Sequence, residues 1–250
     1  MQKKRSSIMK FWISISIFSS LYQGYVMESL IVWDFDLSLL SEINTDTYIV
    51  KHFSRQVYED ELCKDGQWTD MMSKSLSRLH SEHGITHTMI EKAFEKVSFG
   101  MAQKVAELRD SSVVKQIIVS DANDFFISCF LKREKIFDAF DLVATNPTEI
   151  SAAGKISVKH YHRNATCTHC PVNLCKARVL NEYLEGKKFQ KIIYIGDGSG
   201  DYHACSMSMV TPLARKGFAL EKLLLKNGKK CVAWENEEHL KSLIDEQLKN

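Results

Sequence analysis

The chain has 250 residues, 44% of them hydrophobic, with 11 glycines and 3 prolines, enough for one large packed unit or a medium domain with a smaller companion. Its net charge of +2 is unevenly spread: Lys3, Lys4, Arg5 and Lys10 give the first 27 residues +4 and no acid, which leaves −2 for the rest. That remainder shows no basic stripe, so the electrostatic footprint of a nucleic-acid binder is missing.

At the start of the chain, basic residues precede the apolar run Phe11-Trp12-Ile13-Ser14-Ile15-Ser16-Ile17-Phe18. Charge followed by hydrophobics is the order of a secretory signal peptide. The run is too short and serine-rich for a membrane span, which needs ~20 mostly apolar residues. Residues 1–26 read either as a signal peptide or as an upstream extension, and are set apart from the fold. A membrane partner is expected only if they are retained. Seven cysteines are an odd count, and Cys63, Cys129 and Cys231 fall in patterns that look like core. Asn164-Ala165-Thr166 is a glycosylation sequon that matters only on a secretory route. The expectation for the body of the protein is cytoplasmic.

Beyond Met27 the first strand is expected at Ser29–Trp33, leading into Asp34-Phe35-Asp36-Leu37-Ser38. The next strand, Lys115–Val119, is much further on than a crossover of a dozen or so residues requires. The excess is helical. Trp68, Met71, Met72, Leu76 and Leu79 share one face, and Gly84 follows as a stop. Thr86 is placed to cap a helix whose inner face carries Ile90, Phe94 and Val97. This gives a helical cap over residues 45–110, inserted into an α/β core made of residues 27–44 and 111–250.

Further strands are expected at Phe140–Ala144 and Lys191–Ile195, with a short hairpin around Ala153-Gly154. Helical patterns cover Asn123–Glu134, Cys175–Glu185, Phe218–Lys226 and Asn236–Leu248. Near-continuous apolar strands alternating with helices imply a doubly wound, mainly parallel α/β sheet. Ligands of such sheets gather at the carboxyl ends of the strands, where Asp34, Ser120 and Asp197 all lie.

These residue types suit phosphate-ester cleavage. Asp34 can attack phosphorus, and Asp36 can protonate the leaving oxygen and then deprotonate water. Ser120, with the amides of Asp121 and Ala122, can bind phosphate oxygens, and Lys176 supplies positive charge at a helix start. Asp197 and Asp201 flank the glycine-rich turn Gly196-Asp197-Gly198-Ser199-Gly200-Asp201. With Asp34 and the Asp36 carbonyl they form an oxygen donor set for Mg2+. Lys155 and Lys159 compete with Lys176 for its role, and Lys176 is favoured because it opens a helix.

The order of Asp34-Phe35-Asp36-Leu37-Ser38, Ser120, Lys176 and Gly196–Asp201 resembles the haloacid dehalogenase superfamily. A narrower likeness rests on Asn44-Thr45-Asp46, Trp68-Thr69, Ser120-Asp121-Ala122-Asn123, Thr145-Asn146-Pro147 and the block from Cys167 to Lys176. These resemble the phosphoethanolamine/phosphocholine phosphatases and the related pyridoxal phosphate phosphatases, from about Met27 to the C-terminus.

The resemblance implies Asp34 as nucleophile, Asp36 as acid/base, Ser120 as phosphate ligand, Lys176 as charge stabiliser, and Asp197 and Asp201 as metal ligands. It puts Asp46 and Asp121 where acids could meet a cationic head group. Phosphocholine or phosphoethanolamine is the expected substrate, pyridoxal phosphate the alternative, and an inactive phospho-ligand sensor the alternative of another class. Four departures stand out: Ser38 for threonine, one extra residue between Asp36 and Asp46, Gly200 for asparagine, and His203-Ala204 for Cys-Pro. Cys167, Cys170 and Cys175, with His160, His162 or His169 nearby, leave three options open: zinc, a disulfide, or a reduced loop.

Overall fold

The computed structural model describes residues 28–163, 167 and 170–249. Residues 1–26, the sequon at Asn164 and His169 lie outside the described residues. Six parallel strands form the main sheet: β1 (Ser29–Trp33), β2 (Val114–Asn123), β3 (Leu142–Asn146), β6 (Lys191–Gly196), β7 (Val210–Arg215) and β8 (Val232–Trp234). They lie in the order β3-β2-β1-β6-β7-β8. β4 (Thr148–Ile150) and β5 (Ile156–Val158) make a separate antiparallel hairpin whose turn holds Gly154 at φ +81°.

Alternation along the central strands explains why they read as continuous apolar runs. Ile31 and Trp33 of β1 pack with Phe35 and Phe130 on one face, while Leu30 and Val32 pack with Leu180 and Leu220 on the other. β6 repeats the division, with Ile193 and Ile195 on the first face and Ile192 and Tyr194 on the second. A strand buried on both sides has no polar alternation to display. Gln116 is the polar exception: it accepts from Trp33 Nε1 at 3.1 Å and donates to the Val105 carbonyl at 3.1 Å.

Between β1 and β2 come α1 (Thr45–Phe53), a turn of α-helix at Arg55–Val57 continued by a π-helical segment at Tyr58–Leu62, α2 (Trp68–His83), α3 (His87–Phe94) and α4 (Ala102–Arg109). Gly84 stops α2 in the left-handed region at φ +68°, where only glycine is unstrained. α2 packs against the β4–β5 hairpin, and Ser73 Oγ accepts from Val158 N–H at 3.2 Å. α4 instead lies on β2 of the main sheet. The other helices are α5 (Asp124–Arg133), α6 (Lys176–Leu184), the short α7 (Tyr202–Cys205), α8 (Ala219–Lys226) and α9 (Glu237–Lys249). Among the described residues, no helix is long and apolar enough to cross a membrane.

Several local expectations need correction. β3 begins two residues later than Phe140 and continues through Thr145 and Asn146, because their buried side chains find partners: Thr145 Oγ1 donates to the Ala122 carbonyl at 2.6 Å. Ser120 to Asn123 lie within β2 rather than beyond it, past a shift in register after Val119. Thr86 stands at the N-cap of α3, but its hydroxyl bonds to that of Thr88 and caps no amide. Cys63 is exposed, because the helical run has already ended at Leu62; Cys129 and Cys231 are half-buried.

Candidate active site

β1 and β6 are neighbours from which the chain moves outward in opposite directions, so the crevice between their carboxyl ends is the switch point of the sheet. Asp34 follows the last residue of β1 and Asp197 follows the last of β6. One cavity of about 180 Å³ is lined there by Asp34, Asp36, Asp46, Ser120, Asp121, Ala122, Lys176, Asp197 and Asp201, together with Trp68. The residues read from the sequence as nucleophile, acid/base, phosphate, head-group and magnesium ligands therefore line one cavity.

The loop after β1 bends sharply. Leu37 has φ +56°, an unfavourable value for a residue with a branched side chain. Its N–H donates to the Ile43 carbonyl at 3.2 Å, and its carbonyl accepts from Arg215 Nη1 at 2.9 Å. The same guanidinium nitrogen donates to the Ser41 carbonyl at 2.7 Å. This clamp ties the loop to Arg215 at the end of β7. The Asp36 carboxylate accepts from Asn44 Nδ2, Thr45 N–H and Thr45 Oγ1, each at 3.1 Å. The Asp34 carboxylate accepts from Phe35 N–H at 2.8 Å and pairs with Lys176 Nζ at 2.9 Å, both through Oδ1.

Lys176, the first residue of α6 and 2% exposed, also meets Asp201 Oδ1 at 2.7 Å and lies 4.0 Å from Asp121 Oδ2. Asp201 is wholly buried and takes further hydrogen bonds from Tyr194 OH at 2.9 Å, Gly198 N–H at 3.0 Å and Asp197 N–H at 3.2 Å. Gly196 is required beside it: a Cβ there would lie 2.5 Å from Asp201 Oδ2. Ser38 Oγ lies 3.4 Å from Asp197 Oδ1, so the serine supplies a hydroxyl to that carboxylate. Lys159 pairs with exposed Glu149 on the hairpin, and neither it nor Lys155 lines the cavity.

Carboxylates packed this closely resist ionising. The Asp34 carboxyl is pushed up to about 8, by burial first and then by Asp201, against the pull of Lys176. Asp197 is raised to about 6 by burial and Asp201. Asp36 is raised well above the usual carboxylate range, by burial and then Asp46, despite its bonds from Thr45. Lys176 stays charged: burial opposes its charge, but Asp201 and Asp34 outweigh it.

Carboxylate oxygens of Asp34, Asp197 and Asp201 lie within 4.8 Å of one another. Three carboxylates against one lysine leave excess negative charge, and the donors are all oxygens, so the cluster fits a hard divalent cation. The Asp36 carboxylate is not part of this group.

Across the cavity, Asp46 Oδ2 accepts from Trp68 Nε1 at 2.7 Å, while Oδ1 is buried and has no hydrogen-bond partner among the described residues. Its carboxyl is raised to about 7, chiefly by burial. Asp121 accepts from Asn173 Nδ2 at 2.9 Å, and Asn173 Oδ1 accepts from Gln67 Nε2 at 2.9 Å. Ser120 Oγ accepts from Ala122 N–H at 3.3 Å. A second hollow, of about 480 Å³, adjoins through shared Trp68 and Asp121 and is lined also by Pro171, Val172 and Asn173.

Sequence reasoning missed two residues of this site. Tyr194 reads as an ordinary strand aromatic, although its hydroxyl position signals a buried partner. Arg215 ends a strand that the apolar runs did not reveal.

Comparison with known proteins agrees with this geometry. The sequence model of a family described as Putative Phosphatase matches residues 29–248. The mouse (Mus musculus) protein named pyridoxal phosphate phosphatase PHOSPHO2 is 33% identical over 215 residues, 80% of this chain and 87% of that one. A chicken (Gallus gallus) protein named phosphoethanolamine/phosphocholine phosphatase is 26% identical over 258 residues, 92% of this chain and 94% of that one. A substrate-bound phosphoserine phosphatase shares the fold with a TM-score of 0.60 at 16% identity, covering 87% of this chain and 97% of that structure.

Proposed function

This chain belongs to the Putative Phosphatase family, of the haloacid dehalogenase type, and from that premise we propose a magnesium-dependent phosphomonoesterase working through an aspartyl phosphate at Asp34. The carrying observation is the unequal treatment of two neighbouring carboxyls. Asp34 is held by a buried ammonium at 2.9 Å, whereas Asp36 meets only neutral donors, and burial and Asp46 raise its carboxyl well above the usual range despite them. Environments that push two carboxyls apart divide nucleophile from acid.

Asp34, Asp197, Asp201 and the Asp36 carbonyl would hold the ion, which when bound supplies positive charge against the phosphoryl oxygens and the crowded carboxylates. Ser120 and the Asp121 and Ala122 amides orient the phosphate. Asp34 forms the new oxygen–phosphorus bond as the ester bond breaks, and Asp36 gives its proton to the departing oxygen. Asp36 then takes a proton from water, whose oxygen displaces Asp34 and releases inorganic phosphate. Lys176 offsets the charge that builds up beside Asp34 and Asp121.

A small cationic ester, phosphocholine or phosphoethanolamine, is the favoured substrate. Asp46 offers an unpartnered buried oxygen, and with Asp121 makes the end of the cavity acidic. The adjoining hollow beside Trp68 supports pyridoxal phosphate as a second reading, since it offers room for a ring. Nothing in the ionisable set is lost, which leaves the sensor reading without support. A cytosolic setting is part of the proposal. Phosphate release by the full chain from phosphocholine, phosphoethanolamine, pyridoxal phosphate, phosphoserine and pyrophosphate, with magnesium or EDTA, tests it. Selective, magnesium-dependent turnover of the amino-alcohol esters is expected; turnover of none of them by folded protein would refute it.

A further inference from the structure

Beside the acidic cavity, where Cys170 lines the adjoining hollow, a second cluster uses quite different donors. The Sγ atoms of Cys167, Cys170 and Cys175 and a ring nitrogen of His203 lie within 4.8 Å of one another. His203 Nδ1 is 3.2 Å from Cys167 Sγ and 3.5 Å from Cys170 Sγ. Four ligands around a tetrahedral zinc, with zinc–sulfur bonds near 2.3 Å, stand about 3.5–3.8 Å apart. Only small movements separate the observed cluster from that arrangement.

The histidine is not one of those nearest in sequence. His160 Nε2 faces Asp70 Oδ1 at 2.8 Å, and His162 Nε2 accepts the Cys175 N–H at 2.9 Å. His203 comes from α7, on the far side of the Gly196–Asp201 turn. Cys175 is buried at the N-cap of α6, and the other three residues are half-buried. All four donors come from the protein and leave no open position, as in structural zinc sites.

We propose that Cys167, Cys170, Cys175 and His203 bind a structural zinc ion. Binding replaces the protons of three thiols with metal–sulfur bonds, and His203 contributes its neutral ring through Nδ1. Soft thiolate and imidazole donors select zinc, whereas the carboxylate group at Asp34 selects a hard cation, so the two sites do not compete.

The position gives the ion a task. Cys175 immediately precedes Lys176, and His203 follows Asp201 by two residues. Zinc would join the start of α6 to the start of α7, the elements that bring Lys176 Nζ within 2.7 Å of Asp201. Asn173, which holds Asp121, lies within the same cysteine loop. The metal thus fixes two contacts of the cavity without entering it. The inference is independent of the substrate reading.

The test is metal analysis of the full, tag-free chain, purified with reductant and dialysed into metal-free buffer, followed by cobalt(II) exchange. About one zinc per chain is expected, with thiolate-to-cobalt charge transfer and intense tetrahedral d–d bands in the cobalt form. His203→Ala and Cys170→Ser should lose most of this signal, His203→Cys should keep it, and Asp197→Asn should leave it unchanged. Should Cys170→Ser not fold, the wild-type stoichiometry and the two His203 variants still decide the matter. Absence of zinc, together with a cobalt form lacking thiolate bands, would overturn the proposal. So would a Cys167–Cys170 disulfide in protein that takes up no metal after reduction.

Discussion

Replacing Lys176 by methionine keeps the apolar stem and removes only the charge. The ammonium is buried 2.9 Å from Asp34 and 2.7 Å from Asp201, with Asp121 at 4.0 Å. Removing one partner of a buried ion pair costs about 3–5 kcal/mol, because the remaining charge keeps its desolvation penalty. At about 2–4 °C per kcal/mol for a chain of this size, the melting temperature should fall by roughly 6–20 °C. The loss should depend on pH. Asp34, raised to about 8 even with Lys176 beside it, will move higher in the variant. Wild type and variant both hold that proton in mild acid, so the Asp34 share of the deficit is small there and grows as pH rises through 8. Thermal unfolding without divalent cations, followed from about pH 6 to about pH 9, measures this. A loss of under about 1 kcal/mol, equal at both ends, would refute the view that Lys176 balances buried carboxylates.

Asp46→Asn should raise KM for phosphocholine by about 10–100-fold, the worth of one charge-assisted contact, and barely change turnover of a neutral ester such as glycerol phosphate. Equal losses on both substrates would place Asp46 in the scaffold instead. Stability without divalent cations should fall as pH rises through about 6 to 8. Asp197, Asp46 and Asp34 have native values of about 6, 7 and 8 against 3.8, so the native state holds more protons than the unfolded chain across that window. Magnesium should flatten the slope in denaturant titrations by taking the place of those protons, and stability that climbs through the same window would contradict the charge assignments.

The sequence displayed the site better than the sheet that carries it. Asp34 and Asp197 were legible because each follows a strand buried on both faces, which shows up as an apolar run. β7 was not: Pro212 interrupts Val210–Arg215, and a proline normally argues against a central strand. Here Pro212 sits in register with Tyr194, inside the sheet. β8 has three residues, too few for any period. The ends of β2 and β3 were hidden for another reason. Ser120-Asp121-Ala122-Asn123 and Thr145-Asn146 are polar, and only tertiary partners keep them extended. The cysteine loop makes the same point about distance. Its fourth companion, His203, is 28 positions beyond Cys175, and spacing along the chain pointed to nearer histidines with other partners.

Chemical trapping at Asp34 bears most directly on the proposed reaction. The full chain would be mixed with a turned-over phosphate ester and magnesium, quenched in acid within a turnover, and reduced with borohydride, which converts an aspartyl phosphate to homoserine. Peptide mass spectrometry should find homoserine at position 34, dependent on substrate and magnesium and missing in Asp34→Asn. Turnover at full rate with Asp34 unmodified under the same quench, or turnover retained by Asp34→Asn, would contradict Asp34 as the nucleophile.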